Sequence, residues 1–244
     1  MKKIKILGAL MTLLWSSSSF HINVKNKEQT INANMKLVYV YDALCGWCYG
    51  FGGVMEKVDA NYKEVLPLQV MSGGMIPKAY ARPIGHMSNY ILQTLPRLER
   101  MTGATVGEPY KKMLREGTYV MSSEPPAIAL SIVKSMDSTK AFSFAHTVQK
   151  NLFIDMMDIN TEPIYLDAVK KLGMDTTEFN QKWTDSTYYK AAQDEFRQVQ
   201  QLHVSGFPAL FLVKDNQWIK LSEGYASYES IEKQLSQHGI SPKK

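Results

Sequence analysis

Leu37-Val38-Tyr39-Val40-Tyr41-Asp42-Ala43-Leu44-Cys45-Gly46-Trp47-Cys48 is the stretch that decides the fold. Its apolar, β-branched and aromatic run at 37–41 predicts a buried strand. The residues after Cys48 predict a helix over about 46–62. Cys45 and Cys48, the only cysteines of the chain, therefore sit together at the mouth of a strand-to-helix turn. Two thiols so placed can close a disulfide across one helical turn. The helix N-terminus offers unpaired N–H groups and a positive dipole end, which favour thiolate over thiol. Thiolates attack disulfides, and a stabilised thiolate is the better leaving group. The arrangement reads as a redox-active dithiol.

Other chemistry for a C-x-x-C finds little support. A structural zinc site needs about four ligands. No second cysteine pair exists, and His21, His86, His146, His203 and His238 are scattered without ligand spacing, so no metal is expected. Tyr49 follows Cys48, which excludes the C-x-x-C-H of haem attachment. A static structural disulfide is the bland alternative.

A second stretch lies far downstream, at Val204-Ser205-Gly206-Phe207-Pro208-Ala209-Leu210-Phe211-Leu212-Val213. Proline before a β-branched and aromatic run belongs at the start of a strand. The order is strand, C-x-x-C helix, strand, long helical stretch, X-Pro-strand. That is the order of a thioredoxin fold, whose loop before the third core strand carries a cis-proline facing the cysteines. Phe207–Pro208 is the expected cis bond, since only X-Pro bonds adopt cis at low cost.

On these residues the chain resembles the DsbA-like thioredoxin-fold family, and within it the cytosolic FrnE-like branch of dithiol oxidoreductases. The resemblance rests on Asp42-Ala43-Leu44-Cys45-Gly46-Trp47-Cys48-Tyr49-Gly50-Phe51 and Gly206-Phe207-Pro208-Ala209 and spans about residues 36–238. Gly46 stands where the branch often has proline. Kappa-class glutathione transferases and chromene-carboxylate isomerases share the fold but carry serine at the first position, where this chain has Cys45. The resemblance implies an α/β thioredoxin fold with a large helical insertion between its β-α-β and β-β-α units. Residues 35–75 and 185–240 would form the core, 76–184 the insertion, and 1–34 a leader or linker.

The resemblance also implies a thiol-disulfide oxidoreductase, acting as oxidase, reductase or isomerase on protein or peptide thiols and disulfides with an unidentified redox partner. The alternative is a glutathione-dependent transferase or isomerase of small molecules. A third reading is a binding module with a structural bridge. No cofactor is implied beyond the dithiol, with glutathione as a candidate reductant. Cys45 would be the nucleophile and Cys48 the resolving thiol. Trp47 would cover the disulfide, and Phe207 and Pro208 would present backbone to an extended substrate. Asp42 reads equally as a proton-transfer group near Cys48 and as a strand-end cap.

The 244 residues are 45% hydrophobic and 21% charged, ordinary for one globular domain, with a net charge of +5. Basic residues are dispersed. Lys111-Lys112 and Lys243-Lys244 are short pairs rather than a stripe, so no nucleic-acid partner is expected. Lys2, Lys3 and Lys5, the apolar run Ile6 to Trp15, and Ser16 to Ser19 form a signal-like pattern too short to span a bilayer. Export to the periplasm is one reading, with no transmembrane segment in the mature chain. Translation from Met35 in the cytoplasm is the other.

The remaining punctuation predicts a second strand over 65–71, then Ser72-Gly73-Gly74 as a plain turn. Ser123 and Thr161 read as helix starts before Glu-Pro pairs, and Asp175 to Glu178 as a capping box. Tyr189, Ala192, Phe196, Val199 and Leu202 form one buried stripe of a helix over 186–203. Strands over 209–213 and 217–221 turn at Asp215-Asn216, and Ser227 caps a final helix. The 14 methionines read as core filler rather than an adaptable groove.

Overall fold

The computed structural model describes residues 35–242. The signal-like segment and the residues up to Asn34 lie outside the described residues. Four strands form one sheet in the order β2-β1-β3-β4. The central strand β1 (Met35–Tyr41) runs parallel to β2 (Leu68–Ser72) and antiparallel to β3 (Ala209–Lys214). An antiparallel hairpin joins β3 to β4 (Gln217–Glu223). Its turn residues Asp215 and Asn216 both have positive φ, 50° and 62°. That backbone suits a two-residue hairpin, and Asp and Asn tolerate it best after glycine.

Helices cover the sheet on both faces, which is why 37–41 reads as a continuous apolar run rather than an alternation. Leu37, Tyr39 and Tyr41 face the larger core with helix α1 (Gly46–Tyr62) and α9 (Tyr228–Gln237). Val38 and Val40 face the opposite layer, where Val199 of α8 (Ser186–Gln201) packs. Between β2 and α8 come α2 (Gly85–Thr102), α3 (Glu108–Glu116), α4 (Glu124–Asp137), α5 (Ala141–Phe153), α6 (Pro163–Lys171) and α7 (Thr176–Trp183). Their buried residues, among them Leu98, Leu114, Leu130, Phe153 and Phe179, join the same core as α1. Each such side chain contributes about 1.5–3 kcal/mol by leaving water. The helical segment is thus a roof fused to the sheet layer. No helix among the described residues is long and apolar enough to cross a membrane.

Several local expectations change on physical grounds. Strand β2 starts at Leu68 because the Val65 and Leu66 N–H groups close the end of α1 on the Tyr62 carbonyl, at 2.9 and 2.8 Å. The Ser123 hydroxyl does not cap α4. It accepts the Ile76 N–H at 2.9 Å, and Ser122 Oγ takes the Glu124 N–H at 3.2 Å. The Thr161 hydroxyl donates to the Asp158 carbonyl, while Glu162 occupies the cap position of α6. Asp175 does cap α7, accepting from Thr177 and Glu178 N–H. Tyr189 leaves the predicted stripe for solvent, although Ala192, Phe196 and Val199 are buried. Met71 and Met113 are core filler, whereas Met75, Met87 and Met101 are exposed.

Candidate active site

Cys45 occupies the N-cap of α1 with extended backbone, φ −81° and ψ 112°. Its Sγ accepts the Cys48 N–H at 3.4 Å, so sulfur takes the place of the usual capping oxygen. The geometry directs a helix-terminal N–H at the sulfur. The Cys45 thiol also lies 3.5 Å from the Phe207 carbonyl, to which it donates. The Phe207–Pro208 peptide is cis. The structure therefore brings Cys45, Cys48, Phe207 and Pro208 together from opposite ends of the chain. Both cysteines are free thiols.

The two sulfurs differ in setting. Cys48 is fully buried, while Cys45 keeps 8% of its surface. Burial pushes the Cys48 thiol well up, the hydrogen bond and charge of Cys45 push it further, and the Asp42 backbone amide pulls the other way. Cys48 is thus held as a thiol. Tyr39 donates its hydroxyl to the Cys48 carbonyl at 3.3 Å. Trp47, between the cysteines, is half-buried against the larger core.

Asp42 is buried and sets the loop that carries Cys45. Its Oδ1 accepts the Leu44 N–H at 3.0 Å and its Oδ2 the Met75 N–H at 2.8 Å. Its carbonyl accepts the Cys45 N–H at 3.1 Å and the Gln149 amide of α5 at 3.1 Å. Burial raises the Asp42 carboxyl above its ordinary range, and the Met75 and Leu44 N–H groups oppose that rise. No hydrogen bond among the described residues joins the carboxylate to either sulfur, but its charge adds to the rise at Cys48. The strand-end role and an electrostatic role at Cys48 meet in one residue.

Ser72-Gly73-Gly74 is more than a plain turn. The Phe207 ring fills the space where a side chain at Gly73 would begin: a Cβ there would lie 2.2 Å from the ring Cζ. The Gly73 N–H donates to the Tyr41 carbonyl at 2.7 Å. Glycine is required because two backbones and an aromatic ring converge. The turn is the wall on which the Phe207-Pro208 loop rests. Sequence reasoning missed Gln149 and Tyr39 as well. Gln149 carried one faint signal, an amide on a helix face otherwise filled by Phe142, Ala145, Val148 and Leu152.

Comparison with known proteins follows the same lines. The DSBA-like thioredoxin domain matches residues 36–236. A Nitrosomonas europaea structure assigned provisionally as a protein disulfide isomerase superposes with a TM-score of 0.75 at 23% identity, covering 84% of this chain and 97% of its own. The cytosolic disulfide reductase DsbM from Pseudomonas aeruginosa, also solved with GSH, superposes with a TM-score of 0.70 at 23% identity, covering 84% of this chain and 100% of its own. A curated relative, the ClpXP adapter protein SpxH of Halalkalibacterium halodurans, is 18% identical over 198 residues, covering 81% of this chain and 65% of its own length. The match over 36–236 spans the sheet, the dithiol and the helical roof together, and the chain belongs to the DSBA-like thioredoxin domain family.

Proposed function

We propose that this protein is a thiol-disulfide oxidoreductase of protein or peptide substrates, with Cys45 as nucleophile and Cys48 as resolving thiol. One observation carries the reading. The Cys45 sulfur receives a helix-terminal N–H while standing against the Phe207 carbonyl, beside a second, fully buried thiol. In the reducing direction the Cys45 thiolate attacks one sulfur of a substrate disulfide, forming a mixed disulfide and expelling the other substrate sulfur as thiolate. Cys48 then loses its proton and attacks Cys45. The Cys45–Cys48 disulfide forms, the second substrate thiolate leaves, and two electrons have passed to the substrate. The oxidising direction reverses these steps. Glutathione is the class of thiol that would return the disulfide to the dithiol.

Resolution requires Cys48 to give up a proton it holds tightly. Asp42 is the buried carboxylate whose charge reaches that thiol, and its raised proton affinity suits it to take the proton through a bridging water. The Phe207 carbonyl stands 3.5 Å from the reacting sulfur, and Trp47 and the Phe207-Pro208 backbone would meet the substrate segment. A glutathione-dependent isomerase needs one activated sulfur or hydroxyl and leaves Cys48 without a task, so the second thiol favours the dithiol reading.

The test is a pair of substitutions. Cys45→Ser is expected to abolish reduction of insulin. Cys48→Ser is expected to accumulate mixed disulfides, because Cys45 attacks and nothing resolves the adduct. Full activity in Cys45→Ser would end the proposal.

A further inference from the structure

A pocket of about 290 Å³ opens between the segment that follows β2 and the start of α2. Met75, Ile84, Met87 and Met121 form apolar walls, and Tyr80, Arg82 and His86 supply polar side chains. No carboxylate lines it. The pocket is tied to the active site through Met75, whose N–H is held by Asp42 at 2.8 Å. It is also braced from behind, since Ile76 and Ser123 bond each other twice, at 2.8 and 2.9 Å. Three of its lining side chains are exposed, Tyr80 at 75% and Met75 and Met87 at 42% and 40%. Apolar exposure grouped this way marks a contact surface.

Arg82 is held for a partner it does not have. Its Nε donates to His86 Nε2 at 3.1 Å, and His86 Nδ1 lies 2.8 Å from the Pro83 carbonyl. An arginine Nε can only donate, so His86 Nε2 accepts and the ring proton sits on Nδ1, aimed at Pro83. The histidine thus holds the arginine at Nε, and neither terminal nitrogen makes a hydrogen bond among the described residues. Arg115 and Arg197 pair with Glu108 and Asp194, whereas Arg82, like Arg97 and Arg100, makes no ion pair among the described residues; of these three only Arg82 lines the pocket. A planar fork with two free nitrogens matches a carboxylate.

Resting on the oxidoreductase reading above, we propose that this pocket selects among substrates by taking a bulky apolar side chain of an unfolded polypeptide segment, with Arg82 binding the carboxylate of an adjacent aspartate or glutamate side chain. The volume, at the low end for ligand sites, suits one side chain rather than a folded surface. Unfolded chains expose apolar side chains that folded proteins bury. Electrostatic complementarity comes from a free cation facing a pocket without an internal acid.

The experiment uses pre-reduced protein in single turnover, so each disulfide reduced leaves one Cys45–Cys48 disulfide. The probes are disulfide-linked, terminally blocked hexapeptides with Leu-Glu or Leu-Gln beside the cysteine, and the Leu-Gln peptide with a free C-terminal carboxylate. Wild type is expected to reduce the Leu-Glu peptide about tenfold faster than the blocked Leu-Gln peptide. Arg82→Met is expected to bring that ratio to about one, and Arg82→Lys to restore part of it. Equal rates for both blocked peptides in wild type, an unchanged ratio in Arg82→Met, or a free C-terminus that matches the glutamate would each overturn the proposal. Fluorescence anisotropy of labelled cysteine-to-serine peptides on oxidised protein separates the two readings. Arg82-dependent preference for Leu-Glu in binding supports the pocket even if no disulfide is reduced, and its absence overturns the pocket even if all are.

Discussion

Two loops meet at Cys45, and they are held by opposite means. The loop over 42–48 is pinned by buried polar bonds: Asp42 spends both carboxylate oxygens on Leu44 and Met75, and its carbonyl takes Cys45 and Gln149. The loop over 205–208 is pinned chiefly by shape, with one backbone bond at its end, from the Gly224 N–H to the Pro208 carbonyl at 2.7 Å. Phe207 lies on bare Gly73, while Ser205 and Gly206 are exposed and reach the rest of the fold through Glu223. Buried hydrogen bonds are directional and costly to leave unmade, so they fix an atom's position. Ring packing on a glycine fixes a plane and tolerates sliding. On the proposed mechanism the nucleophile is built on the first kind of support, and the backbone offered to substrate on the second. A site with the proposed task, holding one sulfur still while admitting varied chains, gains from that division.

The sharpest way to break the comparison is to remove the polar clasp. Asp42→Ala leaves the buried Leu44 N–H and the partly buried Met75 N–H without partners; a buried loss costs about 1–3 kcal/mol and a partly buried one less. A total fall of roughly 2–4 kcal/mol in unfolding free energy is expected, read by urea denaturation. Asp42→Asn adds a pH signature. Burial raises the native carboxyl above its unfolded value, so its contribution is fully present below the ordinary carboxylate range and fades as pH rises through the raised value. The stability of Asp42→Asn relative to wild type should therefore increase from pH 4 to pH 8. A difference that is flat or falls over that range would mean Asp42 carries no raised proton affinity.

The shape-held loop is tested at Gly73. A Cβ there meets the Phe207 ring at 2.2 Å, so Gly73→Val must displace the ring whose residue's carbonyl faces Cys45. Overpacking of this kind costs about 1–3 kcal/mol. Disulfide exchange should fall about tenfold, with far-UV circular dichroism unchanged. Phe207→Ala placed on Gly73→Val should recover part of the lost stability, a coupling that double-mutant analysis isolates. Purely additive losses would show that the ring and the turn do not bear on each other.

The two loops also differ in how far the sequence discloses them. The dithiol was legible because its logic is local: a strand, a turn and a helix start within one stretch, with sulfur at the cap. Phe207-Pro208 was legible as a strand start, and its place opposite Cys45 came through the family resemblance. The clasp was not. Asp42 reaches Met75 and Gln149, and nothing local to any of the three marks the contact. Gly73 read as a plain turn for the same reason, since the ring that requires it comes from the far end of the chain. Ser123 misled because its hydroxyl met a stronger demand, the Ile76 N–H, than its own helix. Local grammar predicts elements, and long-range hydrogen-bond demand then reassigns the polar side chains between them.

The smallest expected effect lies where the shape-held loop touches the surface. Glu223 accepts from the Ser205 backbone and hydroxyl and from the Lys220 ammonium. The Lys220 bond, then those from Ser205, hold its carboxyl down at about 2. A depressed carboxyl stabilises the fold above its unfolded value and loses that contribution as pH falls through the native one, here between about 4.3 and about 2. Solvent screens this exposed pair, so Glu223→Gln should cost only about 0.5 kcal/mol at neutral pH, near the middle of the range for surface ion pairs. In a domain of this size that lowers the melting temperature by about 1–2 °C. The telling readout is local. Amide exchange at Ser205 and Gly206 should quicken in Glu223→Gln while that at Leu44 and Met75 stays as in wild type, because the polar clasp shares no partner with Glu223. Equal quickening in both loops would mean that they move as one unit and that the division between a fixed nucleophile and a yielding substrate wall does not exist.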